Sequence, residues 1–385
     1  MRPLLQAEQA VLGAVLLDPG QLDHLDWLEP EHFYRPAHQA LFAALRHLRS
    51  QGKPVLAADG SVPLAWVTAA VTEAGKHTRG LTAVYAHTLV SACPRPAHAP
   101  VYGRMVLEGA IHRTVTEHAV RLHQIARADA VRGEVDTTLH NADVLAAVLE
   151  DLARRWGTEP RPASPAPPIL AAGPAPAEAQ TVVDNERLLL AALADRPAEM
   201  NEVVGWLRPQ DFADRAHGEL YRCLGALHHR GEPVDQVTLL WEAQRRGLLA
   251  DSSVTGEQIT AICDGIGAGS AQWLGEEVAR SALLRTAAAT AAAIRDLAAT
   301  DALAPGQLIN QALAALVVLA DIRQRWTAGT QPPAPPPSRG DPAASPPPAQ
   351  IRAARARSSP FTPTPPPATS PSSVPPVRPP SRSHP

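Results

Sequence analysis

The chain has 385 residues, including 40 prolines and three cysteines, and a formal net charge of −3. Seven of the prolines lie in residues 158–180 and twenty in residues 331–385, so the composition predicts two folded domains, a linker and a tail. Each domain, 1–157 and 181–330, is long enough to bury its own core. Three scattered cysteines exclude a disulfide framework and favour a reducing, cytoplasmic location.

The predicted elements of the first domain are helices. An apolar stretch over residues 9–17 is ended by Asp18-Pro19-Gly20, because proline and glycine oppose the continuation of a helix. A second helix is predicted from Pro36, which suits a first helical turn, to Gly52, which suits a C-terminal cap. No run alternates between polar and apolar residues for long enough to form a strand, so the sequence predicts an all-α fold. Further helices are predicted over residues 64–74, 81–90, 102–125 and 142–156.

The second domain repeats the first. At a shift of 179 residues, positions 27–55 align with positions 206–234 without a gap, and 12 of the 29 pairs are identical. These pairs include His38 with His217. Solenoid repeats have periods of roughly 20 to 50 residues, so a repeat of this length is a tandem domain duplication.

Each copy ends in a predicted helical hairpin, with one helix over residues 113–126 or 285–298 and the next over 142–156 or 305–326. The last helix of each hairpin carries an apolar stripe, and such a stripe needs a partner surface. Tryptophan and arginine beside each stripe are residue types enriched at interface hot spots. The candidate interaction residues are Leu149, Leu152, Arg155, Trp156, Leu319, Ile322, Arg325 and Trp326.

One set of residues in the first copy forms a recognisable pattern: residues 8–18 (EQAVLGAVLLD), Phe33, His38 and Leu41-Phe42, and residues 52–55 (GKPV) and 88–106. On these residues the first copy resembles the N-terminal domain of DnaB-type bacterial replicative helicases over most of its length. The second copy keeps the skeleton of that domain in residues 211–221 and 231–235 and is more divergent elsewhere.

The resemblance implies two copies of a small helical globule followed by a helical hairpin. In the family this domain packs into the collar of a hexameric ring and binds primase or a helicase loader. Because the domains pair in that collar, we expect the two copies to pair within one chain or between chains of a homo-oligomer.

The motor of the family is a separate RecA-like domain whose Walker A loop holds phosphates with glycines, a lysine and a hydroxyl residue. The Gly75-Lys76 pair lacks the hydroxyl residue and the first glycine of that loop. The sequence therefore predicts a protein that is not an enzyme and has no cofactor.

The predicted function is a non-catalytic adaptor or regulator of bacterial DNA replication. Its predicted partners are primase, a helicase loader or the replicative helicase. Two alternatives stay open at this point. One is an accessory part of a DnaB-type helicase whose ATPase is on another chain, and the other is a scaffold unrelated to replication.

Two recurring histidines and four recurring tryptophans are interpreted as structural. His38 and His217 share a position in the first turn of a helix, and no nucleophile recurs near both, which favours packing histidines over catalytic bases. No histidine or cysteine spacing predicts a metal site. Four tryptophans lie among apolar residues and are predicted to be buried, namely Trp27, Trp66, Trp206 and Trp241.

The tail, residues 331–385, carries six arginines and one aspartate, which leaves a net charge of −8 for the rest of the chain. This distribution weighs against nucleic acid binding by the domains, and predicts a disordered tail that binds nucleic acid only weakly. No continuous apolar run is long enough for a membrane span. Two lysines beside 33 arginines are typical of GC-rich coding and favour a bacterial source.

Overall fold

The computed structural model describes residues 3–52, 64–78, 80–160, 179–265 and 267–330. Within these ranges the chain forms α-helices and short 3-10 helices and no strand, which confirms the all-α prediction. The predicted tail and most of the predicted linker lie outside the described residues. The two copies belong to one compact unit, so the boundary between them stays a prediction.

The first copy is longer in its hairpin than the sequence predicts. Helix α5 continues to Arg132, because no helix breaker occurs before Gly133, whose φ of 72° ends the helix in a left-handed conformation. The described α-helices of this copy are α1 (Pro3–Leu17), α2 (Pro36–Ser50), α3 (Leu64–Gly75), α4 (Ala83–Ala92), α5 (Ala99–Arg132) and α6 (Asp136–Trp156).

The second copy has the same order of elements, with one additional short helix in its globule. Its hairpin is formed by the last two helices, as predicted. The described α-helices are α7 (Ala179–Asp195), α8 (Met200–Val203), α9 (Arg215–Arg230), α10 (Gln236–Arg245), α11 (Gly256–Cys263), α12 (Ala271–Ala298) and α13 (Pro305–Thr330).

The two hairpins pack against each other, with α5 antiparallel to α12 and α6 against α13. The His123 ring contacts the carbonyl oxygen of Ala288 at 3.0 Å, in the middle of α5 and α12. At one end of the pair, Arg280 donates a 2.8 Å hydrogen bond to the carbonyl oxygen of Gly133. This guanidinium satisfies a carbonyl that the end of α5 leaves without a helical partner.

The other end of the α5–α12 pair is held by His112. Its Nδ1 lies 2.8 Å from the carbonyl oxygen of Ala298, the last residue of α12, and its Nε2 lies 3.1 Å from that of Leu303. On the α6–α13 side, Arg323 pairs with Asp143 at 2.6 Å. Polar contacts therefore join the copies at both ends and along one side of the bundle.

One hydrophobic core runs through the first globule and both hairpins. Ala282, Leu308 and Ile322 of the second copy belong to the same cluster as Val11, in the first helix of the chain. The globule of the second copy has a separate core. Because apolar burial is the main favourable term in folding, the shared core ties the two copies into one folded unit.

The prediction that four tryptophans are buried is half correct. Trp66 is 2% exposed and Trp206 is 8% exposed, whereas Trp27 is 40% exposed and Trp241 is 63% exposed. The prediction was wrong for Trp27 and Trp241 because apolar sequence neighbours do not determine whether another segment covers a side chain.

Helix α13 is the one described helix that is long and apolar enough to cross a membrane by length and composition. Gln307 and Gln311 interrupt its apolar sequence, which is why no continuous apolar run was expected there. The helix packs against α5, α6 and α12, and 44% of its apolar window is buried. Packing against α12 of the same copy and against α5 and α6 of the first copy therefore accounts for the buried part of its apolar sequence.

Candidate interaction surface

The predicted apolar stripes lie inside the bundle. Leu149 is fully buried, and Leu152, Leu319 and Ile322 are 8%, 3% and 5% exposed. All four belong to the core that the two copies share. The four side chains therefore pack mainly within the same chain. Leu149 is not accessible to an external protein, whereas Leu152 also lines a groove between α5 and α6.

Arg155 and Trp156 lie at the end of α6 and are more accessible. Arg155 donates a 2.6 Å hydrogen bond from Nε to Asp151, and half of its side chain is exposed. Trp156 is half-buried, and the guanidinium of Arg104 lies 4.4 Å from the centre of its ring. This stacking is a cation–π contact between α5 and α6.

Arg325 and Trp326 occupy the corresponding place on α13 but are more enclosed. Arg325 donates from both terminal nitrogens to Asp211, at 2.5 and 3.1 Å, and from Nε to Asp321 at 3.1 Å. Burial acts to lower the pKa of Arg325, but the hydrogen bonds and charges of the two carboxylates outweigh it and raise the pKa. Trp326 packs against both hydrophobic cores.

Replacing Arg325 by Leu is expected to destabilise the protein by about 3 kcal/mol, because it leaves the buried Asp211 carboxylate without its cation. Urea denaturation followed by circular dichroism measures this loss. Arg155→Leu is the matched control in the first copy, and should cost less than about 1 kcal/mol because its pair with Asp151 is exposed. Equal losses for the two variants would contradict this assignment.

The sequence did not predict a concave surface that lies around Trp27. It has a volume of about 700 Å³ and is lined by Trp27, Glu29, Glu31, His32 and Arg155. Burial, and next the charge of Arg155, lower the pKa of His32, so this histidine is neutral near pH 7. The sequence difference that accompanies this surface is Gly157, which follows the last residue of α6, whereas α13 continues through the corresponding position.

An apolar groove adjoins this surface and shares Glu31, His32 and Arg155 with it. The groove lies between α5 and α6 and has a volume of about 510 Å³. Its remaining lining is mainly apolar and includes Leu107, Ile111, Val144, Val148 and Leu152.

The recurring histidines lie in buried contacts with glutamate. Nδ1 of His38 lies 2.6 Å from the Glu8 carboxylate, and its Nε2 lies 2.7 Å from the Tyr85 hydroxyl. The backbone N–H of Tyr34 also donates to Glu8. Glu8 and His38 have no exposed side-chain surface, so this cluster joins α1 to the start of α2 and has no access to a substrate.

The second copy repeats this arrangement. Nδ1 of His217 lies 3.0 Å from the Glu186 carboxylate, which also accepts the backbone N–H groups of Ala213 and Asp214. The repetition agrees with the interpretation of both histidines as structural. Among the described residues, no group of three or more His, Cys, Asp or Glu side chains is arranged to hold a metal ion.

Comparisons with known proteins relate the chain to replicative helicases. It is 37% identical over 144 residues to the replicative DNA helicase DnaB of Geobacillus stearothermophilus, which covers 36% of this chain and 29% of that protein. It is 35% identical over 139 residues to the replicative DNA helicase DnaB of Mycobacterium leprae, which covers 36% of this chain and 22% of that protein. The chain thus matches less than a third of the length of either relative.

The family comparison covers more of the chain. The DnaB-like helicase N terminal domain matches residues 2–108 and again residues 178–264, which together make up half of the sequence. The two matched segments lie in the two copies that the internal alignment identifies. The chain therefore belongs to the DnaB-like helicase N-terminal domain family and carries this domain twice in tandem.

Proposed function

We propose that the protein is a non-catalytic adaptor or regulator of bacterial DNA replication that acts by binding other replication proteins. The observation that carries this proposal is the pairing of two DnaB-like N-terminal domains through their hairpins within one chain. Buried residues of both stripes belong to one core that the two copies share. The chain is thus a preformed domain pair.

Pairing within one chain has a thermodynamic consequence. A short linker gives the second copy an effective concentration in the millimolar range, so the pair forms without a second subunit. The outer faces of the two globules and the Trp27 surface remain outside the shared core. These faces are the ones available to a partner.

The partners we propose are the proteins that the family resemblance implies, namely primase, a helicase loader or the replicative helicase. A binding role fits the described residues, because the recurring histidines are enclosed by glutamate side chains and backbone groups. Reaction chemistry at either histidine would require opening a buried cluster.

We expect the purified full-length chain to form a complex with at least one of these three proteins from the same bacterium. Analytical ultracentrifugation of each pairwise mixture at low salt measures this. Failure of all three to bind would overturn the adaptor proposal. Isothermal titration with ATP serves as a control, since appreciable ATP binding by the chain alone would contradict a non-catalytic role.

A further inference from the structure

We propose that the surface around Trp27 in the first copy is a docking site for a helix end of a partner protein. The docking segment carries a glycine or alanine that packs on the indole ring and a lysine or arginine that reaches Glu31. The inference deepens the adaptor role, on which it rests for its biological setting, by naming the face and the kind of segment that binds.

In the second copy, the surface that corresponds to the Trp27 surface is covered by the end of a helix. Trp206, the counterpart of Trp27, lies between Gly275 of α12 and Gly329 in the last turn of α13. A Cβ atom would lie 2.9 Å from the Trp206 ring at position 275 and 2.5 Å from it at position 329, so both backbones pack directly on the indole. The carbonyl oxygen of Gly329 also accepts a 2.7 Å hydrogen bond from Gln272.

The last turns of α13, which cover Trp206, are also held in place by an ion pair. Arg325, one turn before Gly329, donates to the Asp211 carboxylate and to the carbonyl oxygen of Trp206, the latter at 3.2 Å. Trp206 is 8% exposed as a result of this cover. A small residue on the indole and a basic side chain nearby are therefore the features of a segment that fits this kind of surface.

In the first copy, a glycine also packs on one side of the corresponding indole ring, but the last helix does not extend over the other side. Gly103 corresponds to Gly275, and a Cβ atom there would lie 3.1 Å from the Trp27 ring. The other side of the ring is open because α6 ends at Trp156, where Gly157 turns the backbone into the left-handed region at a φ of 79°. The position that corresponds to Gly329 is Glu159, which lies beyond the helix.

Two sequence differences explain why α6 ends before α13 does. One is Pro160, which corresponds to Thr330 and disfavours a helical backbone at the preceding residue. The other is Gly157, which corresponds to Thr327 of the second copy, and α13 continues through Thr327 to Thr330. Glycine adopts the left-handed conformation at little cost, whereas threonine does not. Trp27 is left 40% exposed in consequence.

The charged residues at the edge of the Trp27 surface favour the binding of a basic segment. His32 replaces Asp211 at the corresponding position, so Arg155 is not drawn inward and stays paired with Asp151. Glu31 is exposed and forms no ion pair among the described residues, so its carboxylate is available to an incoming cation. The adjoining apolar groove between α5 and α6 accepts apolar side chains of the same segment.

The probe that tests this inference is a fluorescein-labelled synthetic peptide with the sequence of residues 318–330, which contains Arg325 and Gly329. Titration with the full-length chain should give saturable binding by fluorescence anisotropy. In a Trp27→Ala chain, the affinity for the peptide should fall by about tenfold or more, as expected when a hot-spot tryptophan is removed. Glu31→Gln should weaken binding and reduce its dependence on salt.

Two controls accompany the titration. Trp241→Ala removes a tryptophan that is 63% exposed on α10 and should leave binding unchanged. A peptide with Gly329→Val should not bind, because a branched side chain prevents the backbone from packing on the indole. Circular dichroism of the Trp27→Ala chain checks that the fold is intact.

Other occupants give different results. Peptide binding that appears only after residues 331–385 are deleted would overturn the proposal, since the tail would then cover Trp27. Binding that weakens as the chain becomes more concentrated would overturn it in favour of a second copy. Absence of binding, or binding unchanged by Trp27→Ala, would also overturn it. The experiment contains no replication protein, so its failure is distinguishable from failure of the adaptor proposal.

Discussion

Leu149→Asp is expected to separate the two copies of the domain. Leu149 is fully buried in the core that both hairpins share, and a carboxylate placed there costs more than about 4 kcal/mol. A specific protease site inserted within residues 161–178 allows the chain to be cut between the copies. Size-exclusion chromatography after cleavage should show one complex for the parent chain and separate fragments for Leu149→Asp.

The matched control is Val237→Asp, which introduces the same charge at a side chain that is 75% exposed on α10. Its fragments should stay together after cleavage. Separation of the parent fragments at micromolar concentration would contradict the shared core. Circular dichroism of the separated fragments distinguishes loss of pairing from loss of folding.

Glu8→Ala is expected to destabilise the first copy by about 3–5 kcal/mol, because removal of one partner from a buried pair leaves the other uncompensated. The substitution also removes the acceptor for the backbone N–H of Tyr34. Urea denaturation measures the loss, and hydrogen exchange locates it in the first globule. Glu8→Gln retains an acceptor and should cost less.

The duplication supplies an internal comparison for this prediction. Glu186→Ala removes the corresponding carboxylate, which also has no exposed side-chain surface, and should destabilise the second copy by a similar amount. Glu117→Ala, at an exposed position on α5, should change stability by less than about 0.5 kcal/mol. A loss at Glu117 as large as that at Glu8 would contradict the role of the buried cluster.

The sequence predicted most of the helices because helix formation is read from local features. Apolar spacing located the hairpins, and glycine located the end of α2 near Gly52. The longer extent of α5 was not predicted, since its last two turns carry a mixed set of polar and apolar residues up to Gly133. Propensity alone does not place a helix end within such a stretch.

An external contact at the candidate interaction residues stays a prediction, and the leucine and isoleucine side chains among them lie in the core. Leu149 and Leu319 belong to the same core, whereas half of the Arg155 side chain is exposed. Trp27 was assigned to the core by its apolar sequence neighbours. Its exposure depends on a helix end more than a hundred residues away in sequence, which no local pattern contains.

The sequence by itself determined that the protein is all-α, that it carries one domain twice, and that each copy ends in a hairpin with an apolar stripe. These properties follow from residue spacing and from identity between the copies. Only the tertiary structure decided which surfaces the stripes meet and which tryptophan stays open. Burial is a property of the whole arrangement, because a side chain is covered only when another segment reaches it, as Gly329 reaches Trp206, whereas Trp27 stays 40% exposed.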